Sequence, residues 1–451
     1  MKVIIIGAGE LGQLLAERLC QSEHDVVMID TARAEFERVR DRLDVMTLVG
    51  EATDVAVMKR AGIESADLLL AVSGDQAANM LACQLARHFG VRRTICRLYS
   101  MDGFSEADGI TPDFYGIGQC FSSPAECARH IVDVLRRPAV LEQIDFSNAE
   151  ATVVTLLVTR ESPLKGMRVQ DFPDAELMAK VRFAALVRRR TLKFPHGDTV
   201  LEAGDRLYVA GRRTDVERIL DFAEPAPPSD RRPVVVAGTG LLAELVVREA
   251  LALGRSVTVI EPDGKTAEEF LSRQTDARLR VLNGSANSED VLREAGADVC
   301  DTFVNAEEDD ENSILSCIIA KRLGARKVVA VTHKPEYISI VPEMEVIDCG
   351  FNSTIVSVNA VFRLMDEGTV RVDSRLESYR AYLTEFKVAP TSRLVGRMVK
   401  DARLPKATVL AMIFRGGEVL APAGKTELQA GDVVVAIVTP ASEEQLKPYF
   451  T

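Results

Sequence analysis

A chain of 451 residues has room for two to four domains of roughly 100–200 residues each, and 47% hydrophobic with 27% charged residues is typical of folded globular domains. The net charge of −12 disfavours nucleic acid and anionic lipid as direct partners, and the absence of tryptophan leaves little surface for base stacking. No segment reaches the roughly 18 consecutive apolar residues of a membrane span, and the apolar run at 3–6 predicts a buried first strand rather than a signal peptide.

Short apolar runs and helical patterns alternate through the first hundred residues. Apolar strands separated by helices are typical of a parallel sheet covered on both faces, so this part predicts a doubly wound, Rossmann-like α/β domain. After it, apolar runs at 153–158 and 206–210, separated by turn residues, predict a small α+β lobe. The predicted strands of the first domain are 2–6, 25–30, 45–49, 67–72 and 94–98, and its predicted helices are 10–22, 31–42, 54–61 and 76–89.

The second half of the chain repeats the first. Residues 2–9 correspond to 233–240, and further on Gly50 corresponds to Gly284 and Cys83 to Cys317. We therefore predict two tandem Rossmann-like doubly wound parallel sheets, each followed by a small α+β C-lobe. The predicted boundaries are 1–140 and 141–222 for the first unit and its C-lobe, 223–232 for a proline-rich linker, and 233–370 and 371–451 for the second unit and its C-lobe.

A glycine-rich turn joins the first strand to the first helix. Gly7 allows the tight turn, Gly9 lets a pyrophosphate approach the backbone, and Gly12 lets the helix pack on the strand. Asp30 ends the second strand, where its carboxylate can accept hydrogen bonds from ribose hydroxyls, which favours NAD over NADP. The pattern predicts an adenine-nucleotide site.

Other polar residues follow the later strands at the same carboxyl edge. Residues 50–53 also suit a surface turn, and Ser73 or Asp75 also suits a helix N-cap, so both readings stay open. Arg97 lies within a strand predicted to be buried, where a guanidinium needs a partner such as a bound phosphate or Asp30. The residues expected to contact nucleotide in the first half are Gly7, Ala8, Gly9, Glu10, Leu11, Gly12, Asp30, Gly50, Glu51, Ala52, Thr53, Ser73, Asp75, Asn79 and Arg97.

The second half carries a similar glycine motif, followed by an acidic residue, but departs elsewhere. Val331 stands where the first half has Arg97, and Ser313 stands where it has Asn79. We predict that the second site binds polyphosphates more weakly, unless His333 or Lys334 restores the missing charge. The residues expected there are Gly238, Thr239, Gly240, Leu241, Leu242, Ala243, Glu261, Gly284 and Ser285.

Features of catalysis are missing from the sequence. None of the five histidines lies in a recognisable triad, metal pair or hydride relay, and no Cys-x-x-Cys spacing occurs among the eight cysteines, which suggests buried free thiols. We therefore expect no catalytic residues and no metal site. An NAD-dependent oxidoreductase is the alternative function, and a thiol redox sensor would need an activated cysteine that nothing in the sequence marks.

Each half also contains an apolar helical stripe that fits two interpretations. The spacing suits packing within one chain as well as an interface between copies of the chain. The stripes are Cys127, Ile131, Val134 and Leu135 in the first half, and Val356, Ala360, Val361 and Leu364 in the second.

With these motifs the chain resembles the TrkA family, the peripheral regulatory subunits of bacterial Trk potassium-uptake systems, which carry two tandem RCK (KTN) units. The matching stretches are residues 3–12, 50–54, 73–83 and 320–325. Glu51 stands where the family usually has Asp, and Ser313 where it usually has Asn in the second half.

The resemblance implies a regulatory protein and not an enzyme. Family members bind NAD(H) and ATP or ADP and assemble as a homo-oligomeric ring, expected here to be a tetramer. The ring docks on a membrane-embedded, TrkH-like potassium channel subunit at the cytoplasmic face of the inner membrane, and controls potassium flux. The resemblance also favours the interface interpretation of the two apolar stripes.

Overall fold

The structure is a computed structural model that describes residues 1–21, 24–40, 42–146, 150–189, 191–224, 233–334, 336–341, 344, 346–365, 371–372, 381–405 and 408–450. Within these ranges, no helix is both long enough and apolar enough to cross a membrane.

The first Rossmann-like unit is a six-stranded parallel sheet with strand order β3-β2-β1-β4-β5-β6. The predicted elements are confirmed to within about two residues, and the sixth strand, Gln119–Ser122, is an addition that its short, half-polar sequence did not indicate. The elements are β1 Lys2–Ile6, α1 Glu10–Gln21, β2 Asp25–Asp30, α2 Arg33–Arg40, β3 Met46–Val49, α3 Val55–Arg60, β4 Leu68–Ala71, α4 Gln76–His88, β5 Arg93–Leu98, β6 Gln119–Ser122 and α5 Ser123–Arg136.

The second Rossmann-like unit has the same topology, β14-β13-β12-β15-β16-β17, again with every pair parallel. The predicted fold class, two tandem doubly wound parallel sheets, is confirmed. Its elements are β12 Val234–Ala237, α8 Leu241–Ala252, β13 Val257–Glu261, α9 Gly264–Ser272, β14 Leu279–Asn283, α10 Glu289–Glu294, β15 Thr302–Asn305, α11 Asp310–Leu323, β16 Lys327–Thr332, α12 Tyr337–Ile340, β17 Cys349–Asn352 and α13 Ser353–Met365.

Each unit is followed by a small lobe built on a five-stranded antiparallel sheet. The same kind of stabilising contact occurs inside each lobe: a partly buried arginine forms two parallel hydrogen bonds with a buried aspartate. The pair is Arg188 with Asp205 in the first lobe and Arg415 with Asp432 in the second. The first lobe contains β7 Val140–Asp145, β8 Ala151–Leu157, α6 Ala175–Lys180, β9 Val181–Arg188, β10 Thr191–Lys193, β11 Arg206–Arg212 and α7 Arg213–Ala223. The second contains β18 Arg371–Val372, β19 Tyr382–Lys387, β20 Val409–Arg415, β21 Glu418–Leu420, β22 Val433–Val438 and α14 Pro440–Phe450.

The two units pack on each other through exchanged helices. Helix α5 packs against α8 of the second unit, and α13 packs against α1 of the first. The two helices also touch each other, where Ser357 Oγ donates to Ser123 Oγ at 2.7 Å and Arg363 pairs with Glu126 at 2.6 Å. The exchange joins the carboxyl edges of the two sheets.

Both predicted apolar stripes lie in this exchange. All four residues of the α5 stripe are at most 1% exposed, and those of α13 are buried or packed against the core. The favoured interpretation of the stripes was therefore wrong in this respect, since the helices pack within the chain. An apolar helix face can be buried equally well against the other unit of the same chain or against a second copy of the chain. The spacing of the apolar residues does not distinguish these two partners.

Candidate nucleotide-binding site

The first glycine loop has the geometry that its sequence predicts. Gly7 has a φ of +103°, and a Cβ there would lie 2.8 Å from the backbone of Ser73. A Cβ at Gly12 would lie 1.9 Å from the carbonyl oxygen of Gly7, whereas one at Gly9 would meet nothing within 4 Å. Two glycines are thus needed for the fold of the loop, and the third leaves an open surface at the start of α1.

Asp30 is held at the end of β2 by backbone donors. Its Oδ2 accepts from the Ala8 amide at 2.7 Å and its Oδ1 from the Ala32 amide at 2.8 Å. Both oxygens keep lone pairs for further donors, such as ribose hydroxyls. Asp30 does not pair with Arg97 in the described structure, so that predicted alternative partner is ruled out.

Two adjoining clefts lie along this edge of the sheet. The first, called the loop cleft, has a volume of about 390 Å³ and is lined by Asp30, Ser73 and Arg97 together with residues 7 and 9–12 of the glycine loop. The second, called the edge cleft, has a volume of about 340 Å³ and is lined by residues 50–53 and Asp75. Since Gly7, Asp30 and Ser73 line both, the two clefts form one continuous groove.

Asn79 and Asp75 support the groove, and Asp75 also lines it. Fully buried Asn79 donates from Nδ2 to the carbonyl oxygens of Ser73 and Arg97, and its Oδ1 accepts from the Ser73 amide and hydroxyl. Asp75 is the N-cap of α4, because its Oδ1 accepts from the Ala78 amide at 3.0 Å. The predicted N-cap is therefore present, and the same turn forms a wall of the edge cleft.

Arg97 is the principal cation of the loop cleft. Its side chain is only partly exposed at the end of β5, and burial lowers its pKa. Among the described residues, none forms a hydrogen bond or an ion pair with its guanidinium group. A partly buried, unpaired cation beside a helix N-terminus is a favourable environment for an anion such as a phosphate.

The loop cleft also contains residues of the second unit, which sequence reasoning missed. They are His333, at the end of β16, and Ser353, Thr354 and Ser357 in the first turns of α13. Their position depends on the helix exchange, for which the local sequence has no signal. His333 was predicted as one way to restore the charge lost at Val331 in the second site; it lines the loop cleft of the first unit and also the cleft that it shares with Gly240 of the second loop.

A third cleft, called the shared cleft, lies between the two units. It has a volume of about 330 Å³, and Arg97, Tyr99 and His333 line it together with Gly240 to Leu242 of the second glycine loop. The Leu241 amide donates to the Tyr99 hydroxyl at 3.4 Å, so a side chain of the first unit already lies at the N-terminus of α8.

The second glycine loop has the same backbone form in different surroundings. Gly238 has a φ of +97°, and Glu261 is buried, with its Oε2 accepting from the Thr239 hydroxyl at 2.6 Å. Glu307 lies where the first unit has Ser73, and burial raises its pKa, with the nearby Glu261 adding to the rise. Of the residues predicted for this site, Gly238, Thr239, Ala243, Glu261, Gly284 and Ser285 line none of the three clefts.

Lys334, one of the two residues expected to restore positive charge at the second site, is engaged elsewhere. Lys334 pairs with Glu311 at 2.9 Å, and Val331 is fully buried within β16. Glu261 and Glu307 therefore place two carboxyl groups beside the second loop. In the part of the chain that the structure describes, no group of three or more His, Cys, Asp or Glu side chains is placed to hold a metal ion.

Comparison with known proteins agrees with the repeat seen in the fold. The TrkA-N domain model matches residues 3–105 and 234–352, and the TrkA-C domain model matches residues 153–223 and 383–451. Each half therefore contains one domain of each kind, in the same order.

Whole-length relatives and solved structures give the same result. The Trk system potassium uptake protein TrkA of Halomonas elongata is 29% identical over 97% of this chain and 96% of its own length. The TrkA homolog of Archaeoglobus fulgidus is 30% identical over the full length of both chains. The GsuK RCK domain (TM-score 0.61, 15% identity, 100% of this chain and 94% of that chain) and the GsuK channel bound to NAD (0.62, 16%, 100% and 78%) share the fold.

These relatives are named as potassium uptake proteins and not as enzymes, which removes the support for the oxidoreductase alternative. Tandem TrkA-N and TrkA-C domains and a full-length relative at 30% identity lead to one conclusion. The chain belongs to the TrkA family of Trk-system potassium uptake proteins.

Proposed function

We propose that this chain is the cytosolic regulatory subunit of a potassium-uptake transporter and binds adenine nucleotides in the groove of its first unit. The observation that carries the proposal is the partly buried guanidinium of Arg97, which has no partner among the described residues and lines the cleft at the first glycine loop. Because an unpaired buried charge destabilises a fold, its presence here is best explained by a ligand that supplies the opposite charge.

The ligands proposed are NAD or NADH, and ATP or ADP. The edge cleft is large enough for adenosine, and Asp30 in its wall could accept hydrogen bonds from the ribose hydroxyls. Phosphates would then lie in the loop cleft against Gly9 and Arg97. In a dinucleotide, the second nucleoside would extend toward the shared cleft, which continues from the loop cleft past Arg97. A solved relative in fold is described as the GsuK channel bound to NAD, and another as GsuK bound to ADP.

Nucleotide binding would regulate transport through assembly. Several copies would form a homo-oligomeric ring, proposed to be a tetramer, that docks on a TrkH-like membrane subunit at the cytoplasmic face. A nucleotide shifts the ring between two conformations only to the extent that it binds them with different affinity. Because the apolar stripes of α5 and α13 are used within the chain, other surfaces must join the copies.

The proposal is tested by titration calorimetry of the full chain with ATP, ADP, NAD and NADH, followed by potassium flux in vesicles containing the membrane subunit. We expect at least one nucleotide to bind with a stoichiometry of about one per chain and to change the flux. If none of the four bound, the assignment of the groove would be wrong. If one bound without any effect on flux, the regulatory role would be contradicted while the binding site would stand.

A further inference from the structure

His333 belongs to the second unit but lines the loop cleft of the first. It follows β16, and its equivalent in the first unit, Tyr99, reaches the second glycine loop in the same way. The exchange of α5 and α13 thus places the residue after each fifth strand at the glycine loop of the other unit.

The imidazole of His333 is oriented by a buried carboxylate. Asp310 is 1% exposed, and its Oδ1 accepts from both the backbone amide and Nδ1 of His333, at 2.8 and 2.9 Å. Its Oδ2 accepts from the Lys334 amide at 2.9 Å. Because Nδ1 carries the proton that it donates to Asp310, Nε2 is the ring nitrogen that is available to a ligand. No described residue forms a hydrogen bond with Nε2.

We infer that His333 is a phosphate ligand of the first nucleotide site, contributed across the interface by the second unit. The inference rests on the proposed function, because it assigns a further contact to the same site. Protonated His333 would donate from Nε2 to a terminal phosphate oxygen on the side opposite the glycine loop. Bound polyphosphate would then join the two units, with Gly9 and Arg97 on one side and His333 on the other.

Protonation makes this contact dependent on pH. Histidine gains its charge between about pH 8 and pH 5, and a charged donor binds phosphate more strongly than a neutral one. The ionisable groups facing the same space are Glu10, Asp30, Glu35 and Arg97 of the first unit, and Glu308 and Asp310 of the second.

The test compares wild-type protein with His333→Gln at pH 6 and pH 8 by titration with ATP and with adenosine. We expect the substitution to weaken ATP binding about tenfold at pH 6, which corresponds to about 1.4 kcal/mol, and less than about threefold at pH 8. Adenosine lacks the phosphates and should bind equally to both proteins. Comparing the two proteins at each pH cancels the protonation of ATP itself. His196→Gln, an exposed histidine of the first lobe, is the matched control.

A second variant tests whether a loss of binding comes from the loss of charge at position 333 or from a disturbed fold. His333→Lys carries a charge at both pH values, so its ATP affinity should match or exceed that of the wild type at pH 8. Equal ATP binding by wild type and His333→Gln at pH 6, or an equal loss for ATP and adenosine, would overturn the inference alone. Absence of nucleotide binding in the wild type would overturn the proposed function and this inference with it.

Discussion

The two Rossmann-like units share strand order, glycine spacing and an acidic residue at the end of the second strand, yet different charged residues lie beside their glycine loops. Beside the first loop lies the unpaired Arg97. Beside the second lie the buried carboxylate of Glu261 and the partly buried carboxylate of Glu307, and Tyr99 lies at the N-terminus of the following helix. The glycine motif therefore builds the turn in both units, and we expect residues at the ends of the fourth and fifth strands to decide whether phosphate binds there.

The largest expected effect comes from filling each glycine loop in turn. A Cβ at Gly9 or at Gly240 would meet nothing within 4 Å, so we expect both Gly9→Val and Gly240→Val to fold. Because Gly9 lines the proposed phosphate position, Gly9→Val should weaken ADP binding by about 100-fold or more, equivalent to roughly 2.8 kcal/mol. Gly240→Val should change it less than about threefold. Calorimetry on both variants checks this, and equal losses would show that the second loop binds ADP as well as the first.

Removing the unpaired cation should weaken nucleotide binding without lowering the stability of the ligand-free protein. Arg97→Met should weaken ATP binding roughly ten- to a hundredfold, because it removes charge-assisted hydrogen bonds of about 1.5–3 kcal/mol. The ligand-free protein should be no less stable in urea, since a buried unpaired charge is replaced by an apolar side chain.

Arg87→Met is the control for this experiment, because Arg87 pairs with Asp113 at the surface, away from the groove. A marked loss of stability in Arg97→Met would show that the guanidinium has a structural partner, and would weaken the phosphate assignment.

Ligand choice should follow Asp30 and not Glu261. A carboxylate beside the ribose repels a 2′-phosphate, so NADP should bind at least about tenfold more weakly than NAD. Asp30→Asn should narrow this difference, whereas Glu261→Gln should leave it unchanged. Competition between NAD and NADP measured on the three proteins decides the point, and equal affinity in the wild type would refute the role of Asp30.

The smallest effect is expected at the second loop itself. In a Gly9→Val background, where the first site is blocked, Glu307→Gln removes one carboxylate beside Gly238. Weak residual ATP binding should improve by a few fold, on the order of 0.5–1 kcal/mol. Unchanged binding would indicate that Tyr99 or the shape of the loop, rather than charge, excludes the nucleotide.

Most of the fold could be predicted from the sequence. Strands such as Lys2–Ile6 and helices such as Gln76–His88 agree with the structure because burial on both faces of a parallel sheet imposes its own pattern. The order of glycines and the alignment of Cys83 with Cys317 revealed the duplication. The sixth strand, Gln119–Ser122, was missed because it is short and only half of it is buried.

The candidate site also has a part that could be predicted from the sequence and a part that could not. The glycine loop, Asp30, residues 50–53 and Arg97 come together as predicted, because parallel strands bring their carboxyl ends to one edge. Sequence by itself thus determined the architecture, the repeat and the residues that one unit brings to its own groove. Only the tertiary structure decided that α5 and α13 cross between the units, and hence that His333 lies in the first site and Tyr99 at the second loop. The physical reason is that an apolar helical face must be buried, but its sequence does not determine which surface buries it. The packing of the two units determines that surface, and it thereby also places the side chains that follow the exchanged elements.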